Sequence, residues 1–352
     1  MRKPDFFIVG GPRCGTTALY TYLREHPAVF MPHMKECHFF ADDFAAFRRV
    51  DGLQSYLDLF QGSGAQHTVV GEASVYYFMS SVAIENIYRF APSAKIILIV
   101  RNPVDMLHSL HQVLVKSLHE DVDDFEEAWR LQPERKRGLR IPASCRLPAC
   151  LQYAQVGTFG AHLQRMLRIF PKGQVHVVVF DDFVKDTRQV YESTLEFLGV
   201  APGGRCHFPR IGGSTFDTLR PIQILRARAH ARLWEVKKAL LKWLGEANFY
   251  RLLRIYGALL TSKEERLPLS CEFRANLVER FRDDILLLSG IIKRDLSPWL
   301  TVGERVAPVE SLADRRGKGA PGRFPRGSTV AAVAIAEPAS PARGAGQSAP
   351  IA

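Results

Sequence analysis

The chain has 352 residues, 47% hydrophobic and 24% charged, with a formal net charge of +11. That is an ordinary globular composition, long enough for one large α/β domain or two modest ones. No segment approaches the roughly eighteen consecutive apolar residues of a membrane-spanning helix.

The first apolar run, Phe6 to Val9, begins after five residues and is followed at once by glycines. That is too short for a secretory signal, so none is expected. The run reads as a buried parallel strand, and Thr16 to Glu25 as the helix after it. A shorter strand is expected at Thr68–Gly71 and a helix from Ser81 to Phe90. The run Lys95–Val100, K-I-I-L-I-V, is the most convincing strand, followed by a helix over residues 104–119. Gly157 to Phe170 has apolar residues at helical spacing, and Val175–Phe180 is the next strand. Strands alternating with helices predict an α/β fold of P-loop-like, three-layer type, with a central parallel sheet flanked by helices. Ligands of such sheets bind beyond the C-terminal strand ends. The Gly10–Thr17 loop, Ser74 and Arg101 are therefore expected on one rim.

Residues 120–150 are polar, carry Glu-Arg-Lys-Arg at 134–137, and read as a surface excursion or lid. A basic helical stretch covers about 222–260, with Leu233, Val236, Leu240 and Leu244 on one face and Arg and Lys on the others. Its spacing fits packing on the domain, with peripheral membrane or acceptor contact through the cationic side as the alternative. A domain spanning 1–302 is expected, followed by a disordered tail over 303–352 rich in Ala, Pro, Gly and Arg. The tail holds seven Lys/Arg and four Asp/Glu, so it contributes +3 of the charge and the body +8.

A basic body suits anionic partners. Zinc-finger spacing, an RNA-binding aromatic signature and a concentrated Lys/Arg block are all missing, so no nucleic-acid partner is expected. The six cysteines (14, 37, 145, 150, 206 and 271) form no C-x-x-C pair, which fits a reduced, cytosolic protein. Cys145 and Cys150 bracket a turn and are the pair that an oxidising compartment would cross-link.

The chemistry concentrates at three places. Gly10 to Thr17 has the glycine spacing of a triphosphate-binding loop, but Thr16 stands where that loop has its lysine. The cation of this loop is Arg13. Backbone N–H groups at a helix N-terminus can still cradle an oxyanion, and a shorter anion than a triphosphate fits better. At the exit of the Lys95–Val100 strand, Asn102 is a good N-cap and Pro103 a natural first helical residue. Arg101 can bind a second anion bidentately there, with Ser109 on the helix that follows. Glu36, between Lys35 and His38, reads by itself as a surface carboxylate paired with Lys35, with a general base as the alternative.

Together these elements resemble the sulfotransferases that use 3′-phosphoadenosine 5′-phosphosulfate (PAPS), most closely their glycosaminoglycan and bacterial carbohydrate branch. The family loop G-x-x-[KR]-x-G-T-T, which binds the 5′-phosphosulfate, is matched by Gly10-Gly11-Pro12-Arg13-Cys14-Gly15-Thr16-Thr17. The arginine and serine that bind the 3′-phosphate are matched by Arg101 and Ser109. The motif K-E-x-H-F-F, carrying the catalytic glutamate of 3-O-sulfotransferase-like members, is matched by Lys35-Glu36-Cys37-His38-Phe39-Phe40. Weaker echoes are Gly71-Glu72-Ala73-Ser74 through Tyr77, Phe180-Asp181-Asp182-Phe183, Phe197-Leu198-Gly199 and Asp295 to Leu300. The resemblance spans about residues 4–300. It departs from the family at Arg13, usually lysine, at Val75, often proline, and at Ala73, a functional lysine in some members.

The resemblance implies Gly11, Pro12, Arg13, Cys14, Gly15, Thr16, Thr17, Arg101 and Ser109 as donor contacts, with Arg220 completing the 3′-phosphate clamp. It implies Arg13, Glu36 and His38 in catalysis, and Lys35, Glu72 and Ser74 at the acceptor. The expected reaction is in-line transfer of a sulfonate to a hydroxyl of a carbohydrate or glycolipid, leaving adenosine 3′,5′-bisphosphate. A sulfonate carries less charge than a terminal phosphate, so no metal is demanded. A bacterial, cytosolic enzyme is the expectation. A P-loop nucleotide kinase or NTPase, and a non-catalytic binder of a nucleotide or anionic glycan, are the competing readings.

Overall fold

The structure, a computed structural model, describes residues 2–211, 216–217, 261–262 and 268–302. Arg220, the basic stretch 222–260 and the tail from 303 lie outside the described residues.

Five parallel strands form the central sheet: β1 (Phe6–Gly10), β2 (Val29–Phe30), β3 (Val69–Ala73), β4 (Lys95–Val100) and β5 (Val175–Val179). Their order in space is β2-β3-β1-β4-β5. Every residue of β1 is buried, and β4 is buried beyond Lys95. Both faces of these strands are covered, which is why each reads as an unbroken apolar run. Phe6 and Phe7 point to opposite faces, and each fully buried ring contributes about 1.5–3 kcal/mol. β5 buries only Val178 and Val179, as suits an edge.

β3 reaches two residues past the expected Thr68–Gly71, because Glu72 and Ala73 continue the register with Phe7 and Ile8 of β1. A buried glutamate does not read as strand, so the sequence ended the element early. β2 is two residues long and shows no periodicity in the sequence.

After β1 come the helices α1 (Thr16–Arg24) and α2 (Leu53–Asp58), and α3 (Ala83–Phe90) precedes β4. α4 (Pro103–Lys116) leaves β4 with Asn102 capping it: its side chain accepts from Val104 N at 3.0 Å and Asp105 N at 3.4 Å. The short helices α5 (Phe125–Arg130), α6 (Gln132–Lys136) and α7 (Tyr153–Val156) lead to α8 (Phe159–Leu167). α9 (Phe180–Lys185) and α10 (Thr187–Leu198) follow β5, and α11 (Cys271–Ile292) packs along α8. Thr158 gives α8 no side-chain cap; Asp284 of α11 accepts instead from Gly160 N and Ala161 N, both at 2.8 Å.

The 120–150 segment is anchored by an ion pair that the sequence conceals. Arg135, read as part of a solvated run, is buried and donates to both carboxylate oxygens of Glu120, at 2.5 and 2.6 Å. Tyr153 Oη donates to the same carboxylate at 2.7 Å. Such a pair is tolerated because every charged oxygen has a donor. Cys145 and Cys150 are both thiols. Among the described residues no helix is long and apolar enough to cross a membrane.

Candidate active site

β1 lies between β3 and β4, so the chain runs to opposite sides of it, and the crevice beyond β1 is where a ligand of such a sheet sits. The Gly10–Thr17 loop fills the floor of that crevice. Gly10 is required there: a Cβ would come within 2.7 Å of the Phe78 ring and 2.9 Å of the Val75 carbonyl. Gly15 is required for its backbone, since it precedes α1 at φ 86°, the left-handed region. No side chain caps α1, so its first N–H groups are available to an anion. Gly11 N donates to the Ile99 carbonyl at 2.7 Å, tying the loop to β4. Gly11, Pro12, Cys14 and Thr16 are buried, whereas Arg13 and Gly15 are half-buried and Thr17 is exposed. Burial pushes the Cys14 thiol up to about 12, against the charges of Arg101 and Arg13, so it stays protonated.

Arg13, Arg101 and Ser109 meet although 96 residues separate the first from the last. Arg13 Nε donates to Ser109 Oγ at 3.1 Å, and Arg101 Nη1 donates to the Arg13 carbonyl at 2.9 Å. The Arg101 guanidinium lies 4.6 Å over the Phe180 ring, which fixes its plane. Phe180 belongs to one of the weaker sequence echoes, and its role as a platform had no mark in the sequence. The neighbouring Asp181 accepts from the buried Trp299 indole at 2.8 Å, and Asp182 pairs with Arg294. Two of the echoes are thus one packing contact between the β5 exit and the residues after α11.

The second half of the site is the turn Lys35–Phe40. Glu36 and His38 both have positive φ, 63° and 53°. Glu36 N donates to the Ala73 carbonyl at 2.8 Å, and Val75 N donates to Glu36 Oε2, also at 2.8 Å. The segment after β3 is bonded in turn to β1, through Ser74 N to Ile8 O and Phe78 N to Val9 O. Glu36 therefore sits beside the loop, since the same Val75 whose N–H it accepts crowds Gly10 with its carbonyl. The Lys35 ammonium pairs with Glu36 Oε1, and His38 Nε2 lies 3.2 Å from Oε2. Burial opposes ionisation of Glu36, but His38 and the Lys35 charge outweigh it and hold the carboxyl at about 2. Glu36 is a carboxylate at neutral pH, with 26% of its side chain exposed. His38 is only 1% exposed, and its ring packs against Phe47, Tyr76 and Tyr77. Its Nε2 faces Glu36 outside hydrogen-bond geometry, and the ring does not reach solvent.

Glu72 and Ser74, read from the sequence as acceptor contacts, are placed beneath this turn at 1% and 0% exposure. Ser74 Oγ and Tyr77 Oη donate to the Glu72 carboxyl at 2.5 and 3.0 Å, and Tyr56 Oη lies 3.4 Å from it. Neither residue has a surface on which an acceptor can rest. Among the residues named from sequence, Lys35 is the acceptor candidate that keeps some exposure.

A rim that brings together a glycine loop at a helix N-terminus, an arginine–serine pair and an adjacent carboxylate has the parts of a group-transfer site. The chain belongs to the sulfotransferase family: residues 3–206 match the family's sulfotransferase domain. The chain is 27% identical over 254 residues to carbohydrate sulfotransferase 15 of Rattus norvegicus, covering 56% of this chain and 44% of that protein. It is 29% identical over 226 residues to the human bifunctional heparan sulfate N-deacetylase/N-sulfotransferase 3, covering 62% and 24% respectively. The chain thus spans less than half the length of these curated relatives. A solved sulfotransferase from Alicyclobacillus acidocaldarius superposes with a TM-score of 0.62 at 25% identity, over 86% of this chain and 100% of that one. The expected fold is the observed one.

Proposed function

We propose that this chain transfers a sulfonate group from PAPS to a hydroxyl of a carbohydrate or glycolipid acceptor. The observation that carries the reading is the contact of Arg13 with Ser109 and Arg101 on the rim that also holds Glu36. The cradle fits such a donor: amides at the start of α1 for the 5′ group, and Arg101 with Ser109 for a second anion. Arg220 stays the candidate for the rest of that clamp. When bound, the donor supplies an activated sulfonate with a phosphate leaving group.

Arg13 and the loop amides hold the oxygens on which charge develops, and arginine does so without giving up a proton. Glu36 takes the proton of the acceptor hydroxyl. A carboxyl held near 2 is a weak base. Lys35 is the partner whose withdrawal from Glu36 Oε1 would make that carboxylate more basic. The carbohydrate acceptor is supported by the names of the relatives. A cytosolic setting, with membrane-surface contact through residues 222–260, belongs to the same proposal.

Thermal shift tests the donor. Adenosine 3′,5′-bisphosphate is expected to raise the melting temperature without metal, by mass action on the folded state. Stabilisation by ATP with magnesium alone overturns the reading and favours an NTPase.

A further inference from the structure

Two backbone N–H groups of the Lys35–Phe40 turn end on buried hydroxyls. His38 N donates to Ser74 Oγ at 3.0 Å, and Phe40 N donates to Tyr77 Oη at 3.3 Å. A hydroxyl that accepts in this way must send its own proton elsewhere, and both send it to Glu72: Ser74 to Oε1, Tyr77 to Oε2. Tyr56 of α2 approaches Oε2 as well. One carboxyl thus sets the direction of both hydroxyls, and the hydroxyls set the turn. The turn needs such support because Glu36 and His38 are non-glycine residues in the left-handed region, a conformation that persists only where its surroundings fix it. Glu72 itself is rigid, since it lies in β3 opposite Phe7 of β1.

We propose that Glu72, acting through Ser74 and Tyr77, is the positioning residue that holds Glu36 in place to serve as the base. The inference rests on the proposed transfer reaction for its catalytic half, whereas its structural half stands without it. The groups facing Glu72 are Ser74, Tyr77, Tyr56 and Cys37, with the Glu36 charge beyond them. No cation is among them, so the carboxyl is held by the hydroxyls and the Cys37 thiol. Burial pushes it up to about 7, against the hydrogen bonds of Ser74 and Tyr77. An acid that costs this much to bury fits a local task better than a contribution to packing.

The test has two arms on the full-length protein. In the first, hydrogen exchange is followed by mass spectrometry in wild type, Glu72→Gln and Ser74→Ala. Exchange is expected to quicken about tenfold in the peptide over residues 34–42 and to stay unchanged over 10–17. Unchanged exchange over 34–42 overturns the proposal, whether or not any acceptor is found. In the second arm, single-turnover transfer of labelled sulfonate from PAPS to a desulfated polysaccharide is measured beside bisphosphate affinity. Glu72→Gln, Ser74→Ala and Tyr77→Phe are each expected to lower turnover roughly tenfold to a hundredfold, with bisphosphate affinity within about twofold. In a Glu36→Gln background the same changes are expected to cost less than about twofold, because Glu72 works through Glu36. Equal losses in both backgrounds, or turnover and affinity falling together, mark a general structural role and overturn the proposal. If wild type transfers no sulfonate at all, the proposed function fails, and the exchange arm still decides what Glu72 does to the turn.

Discussion

The Gly10–Thr17 loop and the Lys35–Phe40 turn both rest on the segment after β3, but they are held by different means. The loop is fixed mostly by backbone: glycines at the tight points, the N-terminus of α1, and an amide hydrogen bond from Gly11 to β4, with Arg101 on the Arg13 carbonyl. The turn is fixed by buried side chains, two of which take their direction from Glu72. A backbone-built cradle keeps its shape through most side-chain changes and serves any anion of the right size. A side-chain-built turn can be loosened by one substitution two layers away. The donor half should therefore lose affinity when altered, and the base half should lose rate.

The largest effect expected is on that second half. Glu36→Gln should lower turnover about 10²- to 10⁴-fold while bisphosphate binding survives; kinetics beside calorimetry check it, and retained turnover removes Glu36 from the base role. On the donor half, Arg101→Ala removes a charged partner of an anion and should weaken bisphosphate binding about 10- to 100-fold. If instead turnover falls with affinity unchanged, the contrast between the halves is wrong.

A smaller effect separates the two carboxyls by pH. Glu72 has a folded value near 7, above its ordinary 4.5. Its favourable contribution is complete below 4.5 and is lost as pH rises through 7. Glu36 has the opposite sign: its folded value near 2 lies below 4.5, so its contribution is present above 4.5 and is lost as pH falls through 2. Of the two carboxyls only Glu72 changes between pH 4.5 and 7, and the melting temperature of wild type should fall there relative to that of Glu72→Gln, in which the histidines are the same. Parallel curves would place the proton elsewhere. The smallest effect lies outside both halves. Asp284→Ala uncaps α8 and should cost about 1 kcal/mol, a few degrees in melting temperature, with bisphosphate affinity unchanged.

Much of the donor half was legible. The β1 and β4 runs, the Asn102 cap and the glycines of the loop are local features, each decided by residues within one turn or strand of it. Arg13, Arg101, Ser109 and Glu36 could be named because their types and spacing follow a known motif. Glu72 and Ser74 were also singled out but given a surface role. A carboxylate reads as polar and exposed unless its partners are known, and those partners are Tyr56 of α2 and Tyr77, brought in by the fold. Arg135 was misplaced for the same reason, because Glu120 neutralises it from fifteen residues away.

By itself the sequence determined the parallel α/β sheet, the glycine loop at the start of α1 and the Asn102 cap, because hydrophobic period, turn glycines and capping act over short stretches of chain. The tertiary structure alone decided which polar residues are buried and what they hold. It placed Ser109 against Arg13, Phe180 under Arg101, Asp284 on the end of α8, and Glu72 beneath the turn that carries Glu36. The burial of a charged or polar group is fixed by donors that arrive from distant parts of the chain, and no local pattern carries that information.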